Sequence, residues 1–475
     1  MFRNRTFKGS LRNASPRLLD GLWTRLEAST LGKRLLRGTF WTLLGTMVSR
    51  ALGLAAAMFA ARILGKTVYG ELGIVQSTVG MLGTLAGFGM GTTATKFVAE
   101  LRTRNPAKAG DIIAISSLVS WSVSALLFVV LYLVAPWLCS HTLAAPQLTG
   151  ILRLSGLLLV VSGINGAQLG VLSGFEAFKS IARVSSITGM INFPLIVGGA
   201  FLYHLQGVVL GMVIAQGIGC LLNLGAVRRE MRKCSVPVSL LPRWSEFKVV
   251  WQFSIPAVLG SALISIVNWA AATMLVNQLS GYGEMGLFSA ANQWFNALMW
   301  LPYVVSGVTL PVLSERLGSG DKANAIKALR MTLGLNAATV MPVMLIGCLA
   351  SRFIMMSYGK DFASGWLTLD AVLVTAGILS LTVIVGELMA ACGDMWLGLL
   401  INVAFGAIFL GLNAFFIKRG ALGLASSRLI AYAIYAVLMG AYLGYFIFVR
   451  KIDQRRAKSD ELGSTACLPE ANSTI

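Results

Sequence analysis

The side chains most able to do chemistry in this chain are charges and amides set inside long apolar runs. Arg50 stands ten residues past the start of the run from Phe40 to Leu64, and Arg428 about two turns into the run from 421 to 449. Arg153 belongs to the run 149–173, and Asp370 and Glu387 to the run 364–390. Asn165, Asn192, Asn268, Gln293 and Asn296 add amides along the same kind of segment. A charge at bilayer depth costs roughly 3 kcal/mol on insertion scales, so it normally faces water or a partner. A guanidinium can hold a phosphate through two parallel hydrogen bonds. A cavity whose deepest fixed charge is Arg50, joined by Arg428, would therefore repel cations and suit an anion, above all a multivalent diphosphate. Glu387 is the candidate for coupling to an ion, and Arg153 and Asp370, at nearly corresponding positions near the outer ends of their helices, for a gate contact. Each has a plainer alternative. Arg153 and Arg428 can snorkel along their aliphatic stems, Asp370 can be solvated, Glu387 can pair with a basic inner loop, and the amides can bond between helices.

Covalent and metal chemistry find little to work with. The two histidines, His141 and His204, fall in short connections, and the six cysteines are scattered without a CxxC pair, so neither a disulfide framework nor a zinc site is indicated. Ala60 to Thr67 ends like a phosphate-binding loop, yet its first glycine is replaced by Ala60 and it closes an apolar run where the motif needs a strand. Gly87-Phe88-Gly89-Met90-Gly91 likewise lacks the preceding strand of a dinucleotide fingerprint and reads as close helix packing or a local unwinding. No catalytic residue, metal or cofactor is expected.

The elements that must position these groups follow from composition. Apolar residues make up 56% of the chain, charged residues 12%, and the mean hydropathy is +0.75, which excludes a soluble protein. Crossing a ~30 Å hydrocarbon layer takes roughly 20 residues, and about twelve runs qualify. Backbone groups in lipid must be satisfied within the segment, so the runs are helices. Tyr69-Gly70-Glu71-Leu72-Gly73 recurs as Tyr282-Gly283-Glu284-Met285-Gly286, Ile191-Asn192 as Ile401-Asn402, and Gln206-Gly207 as Arg419-Gly420. The expected fold is therefore an all-α integral membrane protein, with about twelve transmembrane helices in two repeated six-helix lobes around a central cavity. An even number of spans per lobe relates the two by an axis along the membrane normal.

The expected boundaries are a basic tail (1–38), an N-lobe (39–227), a basic linker (228–248), a C-lobe (249–450) and a polar tail (451–475). The net charge of +20 is spread over both tails and alternate loops. That pattern places both termini in the cytoplasm by the positive-inside rule and reads as attraction to anionic headgroups, not as a nucleic-acid footprint. Arg17 to Arg37 can lie as an amphipathic helix on the inner leaflet.

Ala61-Arg62-Ile63-Leu64-Gly65, Tyr69 to Gly73, Gly87-Phe88-Gly89 and Lys96-Phe97-Val98-Ala99-Glu100 resemble the opening of the polysaccharide-exporting flippases of the multidrug/oligosaccharidyl-lipid/polysaccharide exporter superfamily. The specific motif is confined to about residues 45–105 and a weaker echo at 276–330. The resemblance implies alternating-access transfer of undecaprenyl-diphosphate-linked oligosaccharides across the bacterial inner membrane, as in O-antigen or exopolysaccharide assembly. It further implies a cationic cavity, with Arg50 matching the family's basic residue on the first helix, and a proton or sodium gradient as driving force. The implied partners are the lipid-linked oligosaccharide, membrane lipids and polysaccharide polymerases. Three rivals remain open at this point. A multidrug antiporter of the same superfamily should place carboxylates in the first lobe, a lipid II flippase should carry two more helices, and a membrane-embedded polymerase or glycosyltransferase should carry a catalytic motif in a sizeable outer loop.

Overall fold

A computed structural model describes residues 30–86, 89–237 and 247–449, and among these every regular element is helical. The first half of the chain forms α1 (Thr30–Ala86), α2 (Met90–Arg104), α3 (Pro106–Trp137), α4 (Thr149–Ser155), α5 (Leu157–Gly174) and α6 (Phe178–Lys233). The second half forms α7 (Phe247–Val276), α8 (Gly281–Gly318), α9 (Lys322–Leu349), α10 (Ser351–Tyr358), α11 (Trp366–Cys392), α12 (Met395–Phe416) and α13 (Gly420–Phe448). Among the described residues, eight helical stretches are long and apolar enough to cross a membrane, with a shorter apolar helix at Ala262–Val276. Three of the eight, of 60, 56 and 54 residues, are broken within a length that could cross twice. Gly65 breaks α1 at φ +74°, ψ 167°, a conformation open to glycine and strained for other residues. Tyr203 and His204 break α6, and a turn of 3₁₀ helix at Ile417–Arg419 separates α12 from α13. Residues on both arms of α1, Ala57 and Leu72 for example, line one cavity, so the chain doubles back at Gly65.

The helices outlast the apolar runs that announce them. The charged segment Glu100–Arg104 is the last turn of α2, and Arg102 is held there by a 2.5 Å ion pair to Glu176. Hydropathy marks only the length of helix that lipid touches, whereas backbone hydrogen bonding continues into the headgroup layer. Sharp stops come from caps. Asn105 accepts a hydrogen bond from Lys108 N at 3.1 Å with Pro106 at the first helical position, and Asp321 accepts from Asn324 N at 3.1 Å. Gly89, in the left-handed region at φ +64°, starts α2; Gly87 and Phe88 lie outside the described residues. So do the two tails and residues 238–246 of the linker. Of the expected surface helix Arg17–Arg37, only the helical backbone at 30–37 is described.

The buried cores divide by depth. One large core joins both halves, from Ala56, Tyr69, Leu72 and Leu205 to Leu275, Met285, Phe288 and Phe362. At the end carrying the basic connections each half keeps its own core, Val98, Val171, Phe175 and Met231 in one and Leu329, Ile384, Leu388 and Phe446 in the other. The shared end is where the repeated pentapeptides meet each other. A Cβ on Gly70 would collide with Tyr282 O, and one on Gly286 with Lys66 O, so the two helices cross backbone to backbone. Around this crossing Arg62 Nε donates to Ser357 O (2.6 Å), Asn277 Nδ2 to Thr142 O (2.7 Å) and Tyr282 OH to Leu143 O (2.7 Å). Tyr69 meets Phe362 edge to face at 5.9 Å. Glu284, from the second pentapeptide, accepts from Ala421 N at 2.8 Å, placing a carboxylate on the N-terminus of α13 where the helix dipole favours it. Large apolar side chains such as Leu133, Phe201, Leu221, Val437 and Phe448 remain exposed on the outside, a surface for acyl chains.

Candidate functional site

Below the glycine crossing the helices of the two halves separate enough to leave a polar chamber. One compartment, about 480 Å³, lies among α1, α7, α8, α12 and α13; Gln76, Asn268, Asn292, Gln293, Asn296 and Arg428 line it. A second, about 350 Å³, is lined by Arg50 and Asn192 together with Gln76, Gln216, Gln293 and Asn296. The compartments share Gln76, Gln293 and Asn296, so the two guanidinium groups belong to one connected space. They sit at different depths. At 1.5 Å per residue Arg50 is ~22 Å from the turn at Gly65, and Arg428 is ~12 Å from the turn at Gly420.

Arg428 is a built site. It is only 6% exposed, its Nη1 donates to Asn292 Oδ1 at 2.8 Å, and its guanidinium lies 4.0 Å over the Phe295 ring, with Tyr432 at 5.9 Å. Its Nε is buried with no hydrogen-bond partner. The snorkelling alternative is therefore excluded for this residue, whose group turns inward. Arg50 is exposed into the chamber. No carboxylate lines either compartment among the described residues. Two fixed positive charges amid neutral amides and hydroxyls can hold an anion and compensate it through both charge and hydrogen bonds.

The chamber thus gathers Arg50, Arg428, Asn192, Asn268, Gln293 and Asn296, and leaves four of the expected residues outside. Asn165 accepts a 2.6 Å hydrogen bond from Asn223 Nδ2, the interhelical alternative for an amide. Arg153 donates from Nε to Tyr132 O at 3.1 Å and stacks on the Tyr132 ring at 4.4 Å, while Asp370 Oδ1 is buried without a partner, so the two do not form a gate pair in this conformation. Glu387 accepts a short hydrogen bond from Ser306 Oγ on α8, near the basic end. Gln76, Gln216 and Asn292 were not anticipated. Asn292 sits beside Gln293 and four residues before Asn296, and that i, i+4 polar face on an otherwise apolar helix was the available signal. Trp269 Nε1 donates across the halves to Thr78 Oγ1 at 3.0 Å, tying the chamber wall together. Among the described residues no group of three or more His, Cys, Asp or Glu is placed to hold a metal ion.

A family model described as "Polysaccharide biosynthesis protein" matches residues 35–316. The EPS I polysaccharide export inner membrane protein EpsE of Ralstonia solanacearum is 21% identical over 313 residues, covering 62% of this chain and 69% of its own. The lipid III flippase of Escherichia coli (strain K12) is 23% identical over 427 residues, covering 86% of this chain and 98% of its own. Among solved structures, an inward-facing multidrug resistance MATE family transporter of the MOP superfamily superposes with a TM-score of 0.71 at 12% identity, over 86% of this chain and 99% of that one.

Proposed function

The chain belongs to the polysaccharide biosynthesis protein family, and from that premise we propose that it is a flippase for polyprenyl-diphosphate-linked oligosaccharide repeat units. It carries them from the inner to the outer leaflet of the bacterial inner membrane. The carrying observation is the chamber between the halves, which holds Arg50 and Arg428 and no carboxylate among the described residues. That electrostatic sign suits a diphosphate and disfavours the cationic guests of a multidrug antiporter. The names of its relatives, a polysaccharide export protein and a lipid III flippase, support the same class.

On this reading the interrupted stretches each count as two crossings, and with the shorter helix at Ala262–Val276 they make twelve. Residues 39–227 and 249–450 are the two lobes, with both termini in the cytoplasm. The glycine crossing is the outer seal. A diphosphate loads from the cytoplasmic side onto Arg50, the deeper charge Arg428 receives it, and the lobes rock about the shared core as the seal opens. The polyprenyl tail follows in lipid, since its transfer into water is unfavourable. A proton or sodium gradient drives the cycle through Glu387, and a polysaccharide polymerase takes the product. The test is export of the glycolipid in a strain relying on this protein. Arg50→Ala is expected to abolish export with the protein still in the membrane, and Arg50→Lys to retain part of it. Normal export by Arg50→Ala would remove the cationic chamber from the mechanism.

A further inference from the structure

A third cavity, about 400 Å³, opens off the chamber wholly within the first half of the chain, between the second arm of α1, α4 with α5, and the second arm of α6. Its character differs from the rest. No ionisable residue lines it among the described residues; its walls are Val75, Val79, Leu158 and Val209 with the hydroxyls of Thr84, Ser155 and Ser162. Each hydroxyl donates to its own helix, Thr84 to Met81 O (2.7 Å), Ser155 to Leu152 O (2.8 Å) and Ser162 to Leu159 O (3.2 Å), which leaves oxygen lone pairs as acceptors. Gln76 and Gln216 stand at the mouth, because both also line the compartment that contains Arg50. Gln76 Nε2 has only a 3.5 Å contact to Met212 Sδ, and the Gln216 amide makes no hydrogen bond to a described residue.

Two amides, Gln76 held only weakly by a thioether and Gln216 without a hydrogen bond to a described residue, lead into a neutral, mostly apolar pocket. Resting on the flippase reading, we propose that this pocket seats the sugar attached directly to the diphosphate, and that it selects an uncharged ring bearing an apolar substituent, such as an acetamido methyl. The volume falls within the ~300–1,000 Å³ typical of small-molecule sites. Gln76 and Gln216 each offer an N–H donor and a carbonyl acceptor to the acetamido group and ring hydroxyls. A diphosphate on Arg50 brings its esterified sugar to the mouth, since the two spaces share Leu72, Gln76, Met212 and Gln216. A uronic acid is disfavoured, because its carboxylate would be desolvated without a counter-charge.

Gly83 supplies the test. A Cβ there meets nothing nearer than Leu159 Cδ2 at 4.0 Å, so a longer side chain can enter the pocket without displacing backbone. Gly83→Leu and Ser162→Leu fill it from opposite walls. Binding of two probes to the full-length protein in lipid nanodiscs is measured: a polyprenyl diphosphate, and the same lipid bearing one N-acetylhexosamine. The parent chain is expected to prefer the glycosylated probe, and either variant to lose about tenfold for it alone, equivalent to one or two hydrogen bonds. Equal affinity of the parent for both probes, undiminished binding of the glycosylated probe by both variants, or parallel loss of both probes, overturns the sugar pocket. Arg50→Ala reports separately on the flippase reading, because it should weaken both probes alike. Should it weaken neither while the filled pocket still discriminates, the sugar site stands and the diphosphate seat falls.

Discussion

In the proposed cycle Arg428 serves both structure and transport. Its guanidinium is almost wholly buried, held by the Asn292 amide oxygen, the Tyr432 hydroxyl and the face of Phe295, and keeps Nε unengaged. Deleting the acceptor leaves a buried cation short of partners, so Asn292→Leu is expected to destabilise the protein by about 2 kcal/mol, the range for a lost hydrogen bond to a charged group. Asn292→Asp should keep the fold by substituting an ion pair for that bond, yet cancel the positive charge and suppress export. Thermal unfolding in detergent together with an export assay separates the two effects. Export at the parent rate by Asn292→Asp would make Arg428 a purely structural group. Glu387 is placed differently, since its partner is Ser306 and it lies off the chamber. Glu387→Gln is expected to lower transport under an imposed proton or sodium gradient, and an unaltered response to the gradient would take it out of the coupling role. The sequence made Arg50 and Arg428 legible because a charge within an apolar run has few acceptable surroundings. It could not sort the amides, because Asn165 and Asn268 look alike along the chain and differ only in which neighbour faces them. Asn165 meets Asn223, whereas Asn268 donates to its own helix at Ile264 O, 2.8 Å away, and turns toward the chamber.

At the scale of helices, the repeated pentapeptide explains itself. Its glycines let the second arm of α1 and α8 approach until backbone touches backbone, and each copy is the other's partner. A methyl at Gly70 or Gly286 cannot be accommodated without parting the helices. Gly70→Ala and Gly286→Ala are therefore expected to weaken the seal and expose the chamber from its closed end, whereas Gly80→Ala, whose Cβ meets nothing within 4 Å, should change little. A cysteine placed at Gln293 reads this out through labelling of intact cells by an impermeant maleimide. Unchanged labelling in both glycine variants would mean that the seal lies elsewhere. The duplication was visible in the spacing of the pentapeptides. That the copies touch was not, because repetition reports shared ancestry of two segments and carries no distance between them. Helix ends were hidden for another reason: α2 runs on through the charged residues Glu100–Arg104, with Arg102 paired to Glu176, and hydropathy does not report how far a helix continues beyond its apolar stretch.

For the whole molecule, the distribution of buried cores decides which side the chamber can open to. One core joins the halves at the end holding Gly65, Ser280 and Gly420, while toward the basic end the buried apolar clusters among the described residues each stay within one half. Among the described residues no buried apolar cluster bridges the halves at the basic end, where α2 still touches α7, so that end is the easier mouth. The direction of transport then follows from which end faces the cytoplasm. In the proposed topology, the dispersed Arg and Lys at Arg102, Arg104, Arg228, Arg229, Arg316 and Lys327 put the basic end on the cytoplasmic side. Two single cysteines test the assignment. Leu279 is 98% exposed in the turn between α7 and α8, and Arg104 is exposed at the end of α2. In intact spheroplasts Leu279→Cys should react with an impermeant thiol reagent above the background of the parent, and Arg104→Cys only after permeabilisation. The opposite pattern would turn the easy mouth toward the periplasm. Arg50 would then be loaded from the wrong side for the proposed cycle, and the proposed direction of flipping would have to be reversed with it.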